Sequence, residues 1–67
     1  MRTHERVKLY IEEKGLKQKA IAQRCGIPNN IFNAMLNGKR KMYADDIIAI
    51  CVALNESPET FIKIDAG

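Results

Sequence analysis

Residues 17–38, KQKAIAQRCGIPNNIFNAMLNG, constrain the fold of this chain more than any other segment. Their spacing predicts a helix that begins at Gln18, a tight turn, and a second helix that lies across the first. Ala22 falls in the middle of the first helix, where a larger side chain would hold the two helices apart. Gly26 follows the helix end, where a left-handed residue is common and glycine carries no Cβ penalty. The segment therefore predicts two crossed helices joined by a glycine turn.

The second helix of this pair, predicted over residues 28–37, carries three closely spaced amides at Asn29, Asn30 and Asn33. An asparagine amide can donate a hydrogen bond to N7 of adenine and accept one from N6 in the DNA major groove. Asparagine is a poor helix former, so several within five residues have a stability cost. Ordinary surface amides, or a helix cap at Asn29 or Asn30, are the alternatives. The pattern favours at least one amide that contacts DNA bases.

The charge of the chain is distributed unevenly between its two ends. Residues 1–41 contain ten Lys or Arg and three Glu, a formal charge of +7, whereas residues 42–67 carry −4. The basic part contains the crossed helices. A polyanion such as DNA is the natural partner of such a surface, in preference to a face that is merely solvated.

The remaining pattern predicts one small all-α domain over residues 1–67. Apolar residues recur at helical spacing throughout, and both prolines fall at helix starts. Ser57 is expected to cap the last helix, with Pro58 at its first position. Five helices are predicted, at residues 3–14, 18–25, 28–37, 44–54 and from 57 onward.

Several other classes of protein are disfavoured by the sequence. Cys25 and Cys51 lie on apolar helical faces, so buried free thiols are expected and not a disulfide or a zinc site. No cofactor or metal is predicted. The longest apolar run, residues 47–54, is far too short to span a bilayer, and a cytoplasmic protein is expected. His4 has no evident catalytic partner and the glycines are scattered, so the sequence does not predict an enzyme.

Three segments of the chain resemble the Cro and phage-repressor family of helix-turn-helix proteins, the Xre-like class. The first two helices of that family and the turn are similar to the segment GLKQKAIAQRCGI. The end of its recognition helix and the basic loop that follows are similar to NAMLNGKRK. Its fourth and fifth helices are similar to ADDIIAICVALNESPETF. The resemblance covers roughly residues 6–62. It implies a compact five-helix, lambda-repressor-like domain that docks helix 3 in the major groove.

The resemblance also implies a role for individual residues. Base contacts are expected from helix 3 and its start, at Pro28, Asn29, Asn30, Asn33 and Ala34. Pro28 and Ala34 depart from the polar residues often found there and are expected to contact a thymine methyl group. Gln18 resembles the glutamine at the start of helix 2, which donates to a phosphate and braces a helix 3 side chain. Further phosphate contacts are expected from Lys19, Asn37, Lys39, Arg40 and Lys41.

Two departures from the family pattern are informative. The family often places Arg at the position of Ile11 and Glu at that of Leu36, where they form a partly buried ion pair. Here both residues are apolar. An aliphatic contact between Ile11 and Leu36 is expected instead, because it avoids the desolvation of two charges. Tyr43 replaces the Ser or Thr that often caps helix 4.

The sequence thus predicts a DNA-binding transcriptional regulator, of the phage-like or prophage-like repressor kind, that acts by occupying promoter DNA. An antitoxin or other protein-interaction module, using exposed residues such as Leu9 and Ile48, is the alternative. A weak homodimer, strengthened on DNA, is expected, because one recognition helix covers too few base pairs to specify a promoter. The family resemblance suggests a dimer contact near helix 5. Ile62 and Ile64 are its expected residues, with Phe61 mainly in the core.

Overall fold

Four α-helices and one short 3-10 helix form the part of the chain that the computed structural model describes, residues 2–62. No strand occurs within that range. The all-α prediction is therefore confirmed for the described residues. None of the helices there is both long and apolar enough to cross a membrane. The elements are α1 (Thr3–Glu13), α2 (Gln18–Cys25), α3 (Asn29–Leu36), α4 (Ala44–Leu54) and the 3-10 helix (Pro58–Thr60).

The prediction of a fifth α-helix is wrong for the described residues, where a single 3-10 turn takes its place. The backbone N–H of Thr60 donates to Ser57 O at 3.0 Å, and that of Phe61 donates to Pro58 O at 3.1 Å. Both bonds span three residues, as in a 3-10 helix. Ser57 does occupy the N-cap position and Pro58 the start, but the Ser57 side chain makes no cap hydrogen bond. One turn is enough to bring Phe61 into the core, where it is 1% exposed.

Each α-helix ends in the same hydrogen-bonding arrangement, which fixes the direction of the chain after it. At the end of α2, Gly26 has φ +72°, its N–H donates to Gln23 O at 3.2 Å, and the N–H of Ile27 donates to Ala22 O at 3.0 Å. This pair of bonds is the Schellman motif, which needs a left-handed residue. The glycine turn predicted between the crossed helices is thus confirmed. The other three helices close with equivalent bonds around left-handed residues, namely Gly15, Gly38 and Asn55.

The core lies where α2 packs against both α3 and α4 while α1 packs on α3. Ala22 is 1% exposed, in agreement with the close helix approach predicted for it. Ile11 and Leu36 are 4% and 2% exposed and belong to the same apolar cluster. No charged or polar residue is buried among the described residues. The apolar replacement of the family ion pair therefore lies inside the core, and direct contact between the two side chains stays a prediction.

The two cysteines differ in burial. Cys51 is buried, as expected, but Cys25 is only partly buried, and both thiols are free. Cys25 lies in the last turn of α2, beside the glycine turn and at the margin of the core. Burial raises the pKa of each thiol above its ordinary value, and a nearby acidic side chain raises it further, Asp46 for Cys25 and Glu56 for Cys51. Neither thiol is therefore activated as a nucleophile.

Candidate nucleic-acid interface

Helix α3 presents amides on one face while its other face is buried. Phe32, Met35 and Leu36 are at most 2% exposed and anchor the helix in the core. The predicted base-contacting residues occupy the opposite face or the helix start. Of these, Pro28, Asn29, Asn30 and Asn33 are exposed and Ala34 is partly buried. The 3.6-residue period of the helix is what separates the apolar and amide faces.

The Gln18 side chain, at the first position of α2, bridges two of these amides. Its Nε2 lies 3.4 Å from Oδ1 of Asn29 and 3.3 Å from Oδ1 of Asn33. The Gly26 turn makes this possible, because it places the start of α2 beside α3. The expectation that Gln18 braces a helix 3 side chain is confirmed, and the structure extends it to two side chains. We call this arrangement the Gln18 bridge.

The Gln18 bridge also changes how Gln18 is able to reach a phosphate. A glutamine amide has two N–H groups, and its nitrogen lies within hydrogen-bond distance of both asparagines. The first intrahelical bond of α2 runs from Ile21 N–H to Lys17 O at 3.2 Å. The backbone N–H groups of Gln18 and Lys19 therefore precede the helical ladder, where a helix N-terminus attracts anions. The phosphate contact expected at Gln18 stays a prediction, for which its backbone N–H is available as a donor.

Asn37, at the end of α3, has a structural role that the sequence did not reveal. Its Nδ2 donates to Asn33 O at 2.8 Å, and its Oδ1 accepts a hydrogen bond from Nζ of Lys8 at 2.8 Å. Lys8 lies on α1, so it links that helix to the last turn of α3, where a cation also suits the helix dipole. Only one N–H of Asn37 remains for a phosphate. Lys8 is the functional candidate that sequence reasoning missed, since nothing local marks a contact across 29 positions.

The basic loop, residues 38–43, leaves α3 in a fixed direction. The backbone N–H groups of Lys39 and Arg40 donate to Ala34 O at 2.9 and 3.2 Å. Gly38 is so close to α1 that a Cβ built on it would lie 2.8 Å from Nε2 of His4. The side chains of Lys39, Arg40 and Lys41 are exposed, as a phosphate contact requires. The backbone is thus held while three cations remain at the surface.

Tyr43 marks the end of the basic loop and the start of α4. As the family departure suggested, its side chain makes no cap hydrogen bond. Asp46 supplies part of the cap instead, because its Oδ2 accepts a hydrogen bond from Tyr43 N at 3.0 Å. The Tyr43 ring is 63% exposed and lies 5.8 Å from Nζ of Lys41. The ring and this lysine therefore extend the surface of the basic loop toward α4.

The two crossed helices, their amide face and the adjoining cations are all contained in residues 6–67, which match the family model described as the Cro/C1-type HTH DNA-binding domain. The chain belongs to this family. The resemblance seen in the sequence is therefore confirmed, and the Cro/C1-type domain extends over nearly all of the described residues. Neither a curated protein nor a solved structure matches the chain.

The C-terminal part of this Cro/C1-type domain is anchored to α1. The rings of Tyr10 and Phe61 pack edge to face with centroids 5.4 Å apart. Burial raises the pKa of the Tyr10 hydroxyl, and Glu56, which accepts a hydrogen bond from it, raises that pKa further. Phe61 is in the core and Ile62 is 38% exposed, as predicted for this pair. Ile64, the other expected dimer residue, lies outside the described residues.

Proposed function

We propose that this Cro/C1-type domain is a sequence-specific transcriptional regulator, a phage-like or prophage-like repressor that occupies promoter DNA. The observation that supports this most is the Gln18 bridge, which holds two amides of α3 in defined positions on an exposed face. Hydrogen bonds from a second helix restrict the rotation of these two side chains. Pre-organised polar groups lose less conformational entropy when they bind, which favours selective contact.

In this proposal α3 lies in the major groove. The amides supply hydrogen bonds to base edges, while Pro28 and Ala34 offer apolar contact to a thymine methyl group. Ala34 is partly buried, so its contribution is the smaller of the two. The proposed base-contacting residues are Pro28, Asn29, Asn30, Asn33 and Ala34.

Phosphate contacts flank α3 on both sides and set affinity and register. The first turn of α2 contributes on one side, and the basic loop on the other. Such contacts release counterions and carry no sequence information of their own. The proposed phosphate-contacting residues are Gln18, Lys19, Asn37, Lys39, Arg40 and Lys41.

The regulator is proposed to bind as a dimer on a two-fold related site, with half-sites about ten base pairs apart. Ile62 supports this proposal because it is an apolar side chain that remains at the surface beside the anchored Phe61. Ile64 is proposed as its partner in the same contact. The small size of the domain limits the area available, so the free dimer is weak and DNA strengthens it.

The function is tested by selecting bound sequences from a random DNA pool and comparing variants on the selected site and on random DNA. Asn30→Ala or Asn33→Ala should weaken binding to the selected site by about 1–3 kcal/mol and affect random DNA much less. Lys39→Ala is the control, because loss of a phosphate contact should weaken both complexes equally. Equal losses on both DNAs for the asparagine variants would remove them from base recognition.

A second candidate function is that of a protein-interaction module such as an antitoxin. It is favoured by the outer face of α4, where Ile48 and Val52 lie one turn apart and are 54% and 76% exposed. Leu9 of α1 is also exposed, at 39%. Stable co-purification of a second protein, lost in an Ile48→Ser and Val52→Ser variant that still binds DNA, would support this function. Retention of DNA binding alone, with no bound protein, would oppose it.

A further inference from the structure

The Gln18 bridge uses the same kind of atom on both asparagines. Nε2 of Gln18 is directed to Oδ1 of Asn29 and to Oδ1 of Asn33, at 3.4 and 3.3 Å. In a primary amide the acceptor oxygen and the donor nitrogen are bonded to the same carbon and point in different directions. With each Oδ1 turned toward Gln18, each Nδ2 is turned away from it. Both residues are exposed, so two NH₂ donors remain for a ligand of α3.

We infer that Asn29 and Asn33 read DNA as hydrogen-bond donors and select base edges that carry acceptors, guanine above all. This inference rests on the proposed function, in which α3 lies in the major groove. There, guanine presents two acceptors, N7 and O6, thymine presents O4, and cytosine presents only the N4 donor. Pairing with both N6 and N7 of adenine requires the acceptor of the amide as well as its donor. The Gln18 bridge has turned that acceptor away from the DNA.

Asn30 differs from its two neighbours. It is exposed, and within residues 2–62 its side chain makes no hydrogen bond that would orient it. Its amide is therefore free to use both donor and acceptor, as adenine requires. The three asparagines of α3 thus fall into two groups with different base preferences, although the sequence makes them look equivalent.

Gln18 is then a positioning residue that sets base preference without contacting a base. Replacing it with glutamate tests this, since a carboxylate has acceptors and no donor. To keep the bridge, Asn29 and Asn33 must turn Nδ2 toward the carboxylate and present Oδ1 to the DNA. An outward acceptor selects the N4 donor of cytosine or the N6 donor of adenine. A merely structural role of Gln18 would not reverse the preference.

The experiment is selection of bound duplexes from a random pool by the unmodified chain, Gln18→Glu and Gln23→Glu. Gln23 is an exposed glutamine on the same helix, so its substitution adds the same charge without altering the bridge. Positions read by Asn29 and Asn33 are assigned from the preferences that Asn29→Ala and Asn33→Ala lose. We expect guanine at these positions for the unmodified chain and Gln23→Glu, and cytosine or adenine for Gln18→Glu. Replacing the selected guanine with 7-deazaguanine should weaken binding about tenfold.

Each outcome bears on the inference. Adenine or cytosine at the assigned positions for the unmodified chain would overturn it and leave the proposed DNA function intact. A preference for guanine that persists in Gln18→Glu would also overturn it, because Gln18 would then not set the orientation. If the added charge prevents Gln18→Glu from binding, Gln18→Met replaces it. That variant should discriminate guanine from adenine less, and unchanged discrimination counts against the inference. Absence of any selected sequence would remove both the inference and the proposed function.

Discussion

The substitution Leu36→Ala tests the packing of α3, on which the position of every amide on that helix depends. Leu36 is 2% exposed and belongs to the apolar cluster shared by α1 and α3. Removing a fully buried leucine side chain costs its transfer free energy and leaves a cavity, for a total of about 3 kcal/mol. A chain of 67 residues has a free energy of unfolding of only about 3–10 kcal/mol. The variant should therefore lose about a third or more of its stability.

The assay is urea and thermal unfolding followed by circular dichroism. The midpoint of thermal unfolding should fall by about 12–24 °C, because about 1 kcal/mol corresponds to 4–8 °C in a domain of this size. The dependence of unfolding free energy on urea should keep its slope if only stability has changed. Leu9→Ala is the matched control. Leu9 is 39% exposed, and its truncation should cost less than about 1 kcal/mol. Equal losses in the two variants would refute the assignment of Leu36 to the core.

The same assay tests whether Ile11 and Leu36 are in contact. A double-mutant cycle with Ile11→Val and Leu36→Ala should give an interaction energy of about 0.5 kcal/mol or more, because side chains that share a cavity are not additive. Ile11→Arg alone should be strongly destabilising, since its charge has no carboxylate opposite, and adding Leu36→Glu should recover part of the loss. Strictly additive free energies in both cycles would show that the two side chains are not paired.

Three further predictions concern the surface and the thiols. If about four to six phosphates are contacted per subunit, the logarithm of the DNA-binding constant plotted against log salt should have a slope of roughly −4 to −5. Replacing Lys39 and Lys41 together with Ala should flatten that slope by about two units. An unchanged slope would exclude the basic loop from the interface. Ile62→Glu should reduce cooperative binding to DNA with two half-sites and leave binding to one half-site nearly unchanged; sedimentation that gives one protein per specific site at saturation would contradict the dimer. Alkylation of the native protein should be slow, because the pKa of both thiols is raised. Cys25 should react before Cys51, because Cys51 is buried. Mass spectrometry that finds Cys51 modified first would contradict this order.

The features predicted correctly from the sequence are those that depend on residues close together in the chain. Gly26 and Ala22 determine the turn and the helix crossing through steric requirements that a short segment expresses fully. The bounds of α2 and α4 agree with the predictions for the same reason. Gln18 was expected to brace helix 3, but only because the family resemblance paired these positions. That it engages both Asn29 and Asn33 depends on the exact helix crossing.

The features that the sequence did not predict depend on contacts between distant residues or on the balance between weak local preferences. The bond from Lys8 to Asn37 joins positions 29 residues apart, and a lysine on an exposed helical face carries no signal of its partner. The serine and proline after α4 suggested another α-helix, but within the described residues only the 3-10 turn Pro58–Thr60 forms, and Phe61 after it is buried. Local sequence signals are weak in short segments, where tertiary packing often decides the structure.

The left-handed residues that close the four α-helices have a consequence for how fast the chain folds. They are followed by short connections, and the α-helices pack mainly on a neighbour in sequence or the next but one, with the Tyr10–Phe61 contact as the long-range exception. Few loops must close over long distances, and the entropy lost before the first stabilising contacts form is small. Helical domains with such local contacts have low relative contact order and fold in microseconds to milliseconds. We therefore expect the main phase of refolding from urea to be fast, complete before conventional stopped-flow mixing ends or within its first milliseconds.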